Sequence, residues 1–85
     1  MVDVLPLNQK LIKKAQKLGV KRKLDKAIGF LSQNHRHPSL RVELLEPNQM
    51  GIWSFRLDKK IRALFIWRKD KKAIEILNIT KHYHK

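Results

Sequence analysis

The stretch Gly51-Ile52-Trp53-Ser54-Phe55-Arg56-Leu57-Asp58-Lys59-Lys60-Ile61-Arg62-Ala63-Leu64-Phe65-Ile66-Trp67 decides the fold. Apolar Trp53, Phe55 and Leu57 alternate with Ser54 and Arg56, and after a polar centre Ile61, Ala63, Phe65 and Trp67 alternate with Arg62, Leu64 and Ile66. A period of two on both sides of a short polar turn predicts a strand over 52–57, a turn over 58–60 and a returning strand over 61–68. If Leu57 faces Ile61 across the turn, the residues from Trp53 to Trp67 that alternate inward share one covered face. Ser54, Arg56, Arg62, Leu64 and Ile66 then share the other. The same register sets Arg56 directly opposite Arg62. Two like charges so placed cost stability unless an anion lies between them, so the pair marks an anion site.

Working outward, Ala73 to Ile79 reads as a further strand after a polar turn over 69–72. Upstream, Leu40, Val42 and Leu44 alternate with Arg41, Glu43 and Leu45, which predicts another strand before a loop marked by Pro47, Asn48 and Gly51. Earlier still the period changes to that of a helix. Leu7, Leu11, Ile12, Ala15 and Leu18 form one apolar stripe, Gly19 is placed to end it, and Val20, Leu24, Ala27, Ile28 and Leu31 form a second. Pro38 stops the second helix. Val2 to Leu5 is the candidate for an edge strand. The expected architecture is α+β: two N-terminal helices packed on a curved antiparallel sheet in the order β-α-α-β-β-β-β.

The chain has 85 residues, enough for one domain with one modest core, here taken as 1–85. It carries 20 Lys and Arg against 7 Asp and Glu, a formal net charge of +13. That excess repels itself in a compact state and calls for an acidic partner, nucleic acid first and an acidic protein second. Between Asp3 and Asp25 every charged residue is basic, more than solvation of a helix requires, so this face is expected to meet phosphate. The absence of cysteine removes disulfide and thiolate chemistry and suits a cytoplasmic protein. No apolar run is long enough for a membrane span and the first residues lack the pattern of a signal peptide.

Near the end of the chain lie Lys81, His82, Tyr83 and His84. An imidazole moves protons near neutral pH, a guanidinium grips phosphate through two parallel hydrogen bonds, and a phenol orients or stacks on a base. Together with Arg56 and Arg62 these are the groups needed to cut RNA without a metal. Two His-x-His pairs, His35 with His37 and His82 with His84, raise the question of a metal site, but no cysteine accompanies them and they are far apart in sequence, so neither metal nor cofactor is expected.

The run from Gly51 to Asp58, followed by Ile61-Arg62-Ala63-Leu64-Phe65 and closing at His82-Tyr83, resembles the RelE/ParE superfamily of bacterial toxins, nearest its YoeB-like branch. His37-Pro38-Ser39-Leu40-Arg41 is similar to the helix-to-sheet junction of that family. The resemblance implies the toxin of a type II toxin-antitoxin system, silenced by an acidic antitoxin. In this branch it implies a ribosome-dependent endoribonuclease acting on messenger RNA by attack of the 2′-hydroxyl. Counting from Trp53, it implies Glu43 as the catalytic carboxylate, with Arg62, His82 and Tyr83 completing the catalytic set and Arg56 contacting phosphate; the basic Arg41 and Lys81 are expected to bind substrate beside them. The chain departs from the branch at Glu46, where a basic residue is usual, and in running on past Tyr83.

Other readings stand beside these. By pattern alone Glu43 is equally a solvated strand residue, Arg62 the partner of Glu43 or Glu75 in a structural ion pair, and His82 and Tyr83 part of a frayed tail. Trp53 and Trp67 read as core rather than as a stacking platform. At the level of function, a ParE-like inhibitor of DNA gyrase shares the scaffold, and a plain basic nucleic-acid-binding domain accounts for the charge.

Overall fold

The computed structural model describes residues 2–68 and 72–81. Its elements follow the order β1 (Asp3–Val4), α1 (Gln9–Lys17), α2 (Lys21–Gln33), β2 (Glu43–Leu44), β3 (Ile52–Arg56), β4 (Arg62–Trp67) and β5 (Ala73–Thr80). Short 3₁₀ turns at Pro38–Leu40 and Asn48–Met50 flank β2. The strands form one sheet in the order β1-β5-β4-β3-β2. The α+β architecture is the expected one, with one refinement: β1 runs parallel to β5, while all other neighbours are antiparallel.

The helical hairpin is built by local chemistry. Asn8 caps α1, its Oδ1 accepting the Leu11 amide at 2.8 Å, and Lys14 and Lys17 lie at the C-terminal end, where positive charge complements the helix dipole. The helix stops in a Schellman turn: Gly19 adopts φ +74°, its N–H donates to Gln16, and the Val20 N–H donates to Ala15 at 2.9 Å. Val20 is thereby driven into the core and starts α2 at once.

Leu11, Ala15, Leu24, Ala27 and Leu31 from the helices meet Phe55, Leu57, Ile61, Ala63, Phe65, Ile74, Ile76 and Ile79 from the sheet side. Phe55 and Phe65 are fully buried, with ring centroids 5.8 Å apart, and burying each stabilises by roughly 1.5–3 kcal/mol. Trp53 and Trp67 flank this centre half-buried, packed against it as the alternation predicts. The covered face is therefore the one read from the sequence.

Two local departures matter for the site. The segment expected to run as a strand from Leu40 to Leu45 does not: Pro38–Leu40 is a 3₁₀ turn and only Glu43–Leu44 pairs with β3. Between them Arg41 takes the left-handed conformation at φ +47°, which costs a non-glycine residue about 1–2 kcal/mol and turns the chain into the sheet. The second departure is a bulge between β4 and β5. Leu64 pairs with Asn78 but Phe65 with Ile76, leaving Leu77 over. The extra residue shifts the alternation, so that Ile74, Ile76 and Ile79 are buried while Leu77 and Asn78 are exposed.

Candidate active site

The face of the sheet turned away from the helices carries the polar residues. Residues paired across antiparallel strands project to the same side, so two rows can be read from the register. One runs Glu43, Ser54, Leu64 across β2, β3 and β4; the next runs Arg56, Arg62, Thr80 across β3, β4 and β5. Arg56 lies directly opposite Arg62, as the sequence predicts.

Arg62 is the best-fixed of these side chains. Its Nε donates to Ser54 Oγ at 2.9 Å and its Nη2 donates to the backbone carbonyl of Arg41 at 2.6 Å. Ser54 is wholly buried, and alternation along β3 turns its hydroxyl to the polar side, away from its neighbours Trp53 and Phe55. The left-handed turn at Arg41 gains its purpose here, since it presents the carbonyl that holds Arg62. Arg62 is thus gripped from β3 and from the β2 approach.

Arg56 is held differently. Its Nε donates to the carbonyl of Asp58 at 3.2 Å, while Asp58 Oδ1 accepts the amides of Lys60 and Ile61, both at 2.9 Å. This closes the β3–β4 turn as an Asx turn. The Lys60 amide is the main reason the Asp58 carboxyl is held below its ordinary value; burial opposes it, and the Ile61 amide, Lys23 and Arg56 add to the lowering.

An open concavity of about 710 Å³ lies over this face. Arg41, Glu43, Arg56, Arg62 and Lys81 line it, together with Asp58, Lys59 and Lys60 of the turn. Five of the seven residues named from the sequence therefore gather around one hollow, and its rim is strongly basic. The other two, His82 and Tyr83, lie outside the described residues. The chain is nonetheless delivered to the hollow, because Thr80 pairs with Arg62 and Lys81 is part of the lining.

Other candidates resolve differently. Glu75 pairs with Arg68 at 3.0 Å, so the ion pair weighed between Glu75 and Arg62 gives way to one with a neighbour on the same hairpin. Of the histidine pairs, His35 meets Trp67 in a T-shaped contact with ring centroids 5.0 Å apart and His37 stacks on Phe30 at 4.3 Å; His84, like His82, is outside the described residues. Among the described residues no three His, Cys, Asp or Glu come together as metal ligands, and no helix is long and apolar enough to cross a membrane. The sequence reading missed Ser54 as the anchor of Arg62 and Asp58 as that of Arg56. The signal for Ser54 was present: a hydroxyl alternating into the row of the arginines.

No family model and no curated protein matches the chain. Solved structures do. A YoeB/ParE toxin from Agrobacterium tumefaciens superposes with a TM-score of 0.71 at 15% identity, covering 96% of this chain and 98% of that one. The YoeB dimer from Staphylococcus aureus gives 0.69 at 20% identity, covering 96% and 95%. The DinJ-YafQ toxin-antitoxin complex of E. coli gives 0.68 at 16% identity, covering 96% and 91%. The fold over nearly the whole chain is that of the YoeB/ParE-type toxins.

Proposed function

We propose that this protein is the toxin of a type II toxin-antitoxin system and that it cuts messenger RNA on the ribosome. The observation that carries the reading is the gathering of Glu43, Arg62, Arg56, Arg41 and Lys81 around one basic hollow on the uncovered sheet face. The likeness of fold to known toxins supports the toxin role, the solved neighbour in complex with an antitoxin supports an antitoxin as partner, and the charge of +13 favours an acidic one.

In the reaction, Glu43 takes the proton from the 2′-hydroxyl, which attacks the adjacent phosphorus. Arg62, already locked by Ser54 and Arg41, and Arg56 from the opposite strand stabilise the charge that builds on the phosphorane oxygens. The bond to the 5′-oxygen breaks, and His82 donates a proton to that oxygen. The products are a 2′,3′-cyclic phosphate and a 5′-hydroxyl. Tyr83 orients or stacks on the base. This route balances with protein groups alone and assigns no role to a metal. Arg41 and Lys81 hold flanking phosphates. A phosphate seated between Arg56 and Arg62 meets a guanidinium from each strand, so the opposed pair favours binding of the anion.

The test adds purified protein to a translating extract and maps message 5′ ends with and without ribosomes. Cuts within codons that require ribosomes, lost in His82→Gln and Arg62→Ala, are expected. Intact messages accompanied by inhibition of gyrase in a supercoiling assay would replace this reading with the ParE-like one.

A further inference from the structure

The basic hollow does not end at the β3–β4 turn. Arg56, Arg41 and Lys59 line it on one side and also line a second cleft of about 570 Å³ on the other, between that turn and α2. Lys23 lines the second cleft from α2, and a smaller extension of about 300 Å³, also lined by Lys23, reaches Lys26 and Phe30. The acid lining this cleft, Asp58, has one carboxylate oxygen taken by two backbone amides and the other 3.8 Å from Lys23. Among the described residues neither Lys26 nor Lys59 has an acidic partner. The trough therefore carries net positive charge, with Lys23, Lys26, Arg41, Arg56 and Lys59 set against Asp58, and Arg56 is pinned at its crest by the Asp58 carbonyl.

We infer that the cleft between α2 and the β3–β4 turn is a second phosphate-binding stretch for the same single-stranded RNA, so that the strand lies over Arg56 from the cutting site toward Lys23 and Lys26. This rests on the proposed ribonuclease function and extends its substrate path. Continuity favours RNA over an acidic peptide. The residues that line both hollows are the ones that would hold adjacent phosphates, and a polyanion with evenly repeated charge matches cations distributed along a groove. At the far end Phe30, stacked on His37 and approached by Lys26 at 5.8 Å, gives the trough an aromatic border suited to a base.

The experiment measures binding of fluorescent 2′-O-methyl RNA, which the protein cannot cut, as a function of salt. A tetranucleotide and a dodecanucleotide are compared. Lys23→Gln/Lys26→Gln is set against Arg68→Gln/Lys72→Gln, which removes the same charge from exposed positions that line none of these hollows. For the dodecanucleotide the cleft variant is expected to lower the slope of log affinity against log salt by about 1.4, or about 0.7 per lost phosphate contact on a single strand. The tetranucleotide should bind both variants as it binds wild type, and the Arg68/Lys72 variant should leave both slopes unchanged. Equal loss in the two variants means diffuse attraction and overturns the cleft, as does no loss in either. Unchanged RNA slopes combined with weakened binding of an acidic antitoxin peptide overturn it in favour of a protein occupant. Cutting is scored separately: wild-type protein that leaves ribosome-bound messages intact overturns the underlying reading, whereas intact cutting with equal slopes overturns the cleft alone.

Discussion

The two faces of this sheet are made from the same strands, yet they are held by different physics. Toward the helices, Phe55, Ala63, Phe65, Ile74 and Ile79 are fully buried, and non-directional packing suffices. On the opposite face Arg62 and Arg56 are fixed by directed bonds to Ser54, the Arg41 carbonyl and the Asp58 carbonyl. The first face tolerates any filling of the right volume and patterning. The second depends on single atoms, some of them backbone, and so separates stability from activity along one hairpin.

That separation can be broken by substitution. The largest expected effect is on the open face: Glu43→Gln should lower cleavage by about 10²- to 10⁴-fold while the melting temperature stays close to wild type. A matching collapse of the fold would mean that the two faces are not independent. On the covered face, Phe65→Ala should cost about 3–5 kcal/mol of stability in denaturant unfolding. If any folded fraction remains, its cleavage rate per folded molecule should be preserved.

Ser54→Ala probes the seam between the faces. It removes the acceptor of the Arg62 Nε–H and is expected to cost about 1–3 kcal/mol, the range for stranding a buried polar partner. It should also slow cleavage, because the guanidinium loses one of its two described anchors. Unchanged kinetics would show that the Arg41 carbonyl alone positions Arg62. The smallest effect concerns acid stability. Because the Asp58 carboxyl is lowered in the folded protein, its contribution is present above the unfolded value near 3.8 and is lost as pH falls through the lower folded value. Asp58→Asn should therefore be the less stable protein at pH 6, and the gap should narrow below about pH 3.8. A constant difference across that range would remove ionisation of Asp58 as the cause.

Legibility followed the same division. Alternation from Trp53 to Trp67 predicts the covered face, the register and the Arg56–Arg62 opposition, because a period of two maps directly onto the pleat. The helix stripes and the stop at Gly19 are equally local. What the sequence hid was set by backbone geometry. The alternation of Leu40, Val42 and Leu44 reads as strand, but Pro38 starts a 3₁₀ turn and Arg41 adopts a left-handed conformation that no pattern of side chains announces. Of the seven site residues named from the sequence, five of them by resemblance, the fold gathers Glu43, Arg62, Arg56, Arg41 and Lys81; Ser54 went unnamed because its partner, the Arg62 guanidinium, comes within reach only once the strands pair, and Asp58 because it holds Arg56 through a backbone carbonyl.

The surplus residue at Leu77 has a consequence beyond its own strand. Counted from Ile76, unbroken alternation would turn Asn78 and Thr80 toward the helices; the single extra position makes Ile79 the buried one and sets Thr80 beside Arg62, just before Lys81. Which face the end of β5 meets is thus a question of parity. A β5 forced into unbroken register, with Leu77 facing Leu64, would bring Ile79 beside Arg62 and turn Thr80 toward the helices, spoiling the lining of the hollow with every residue of the strand still present.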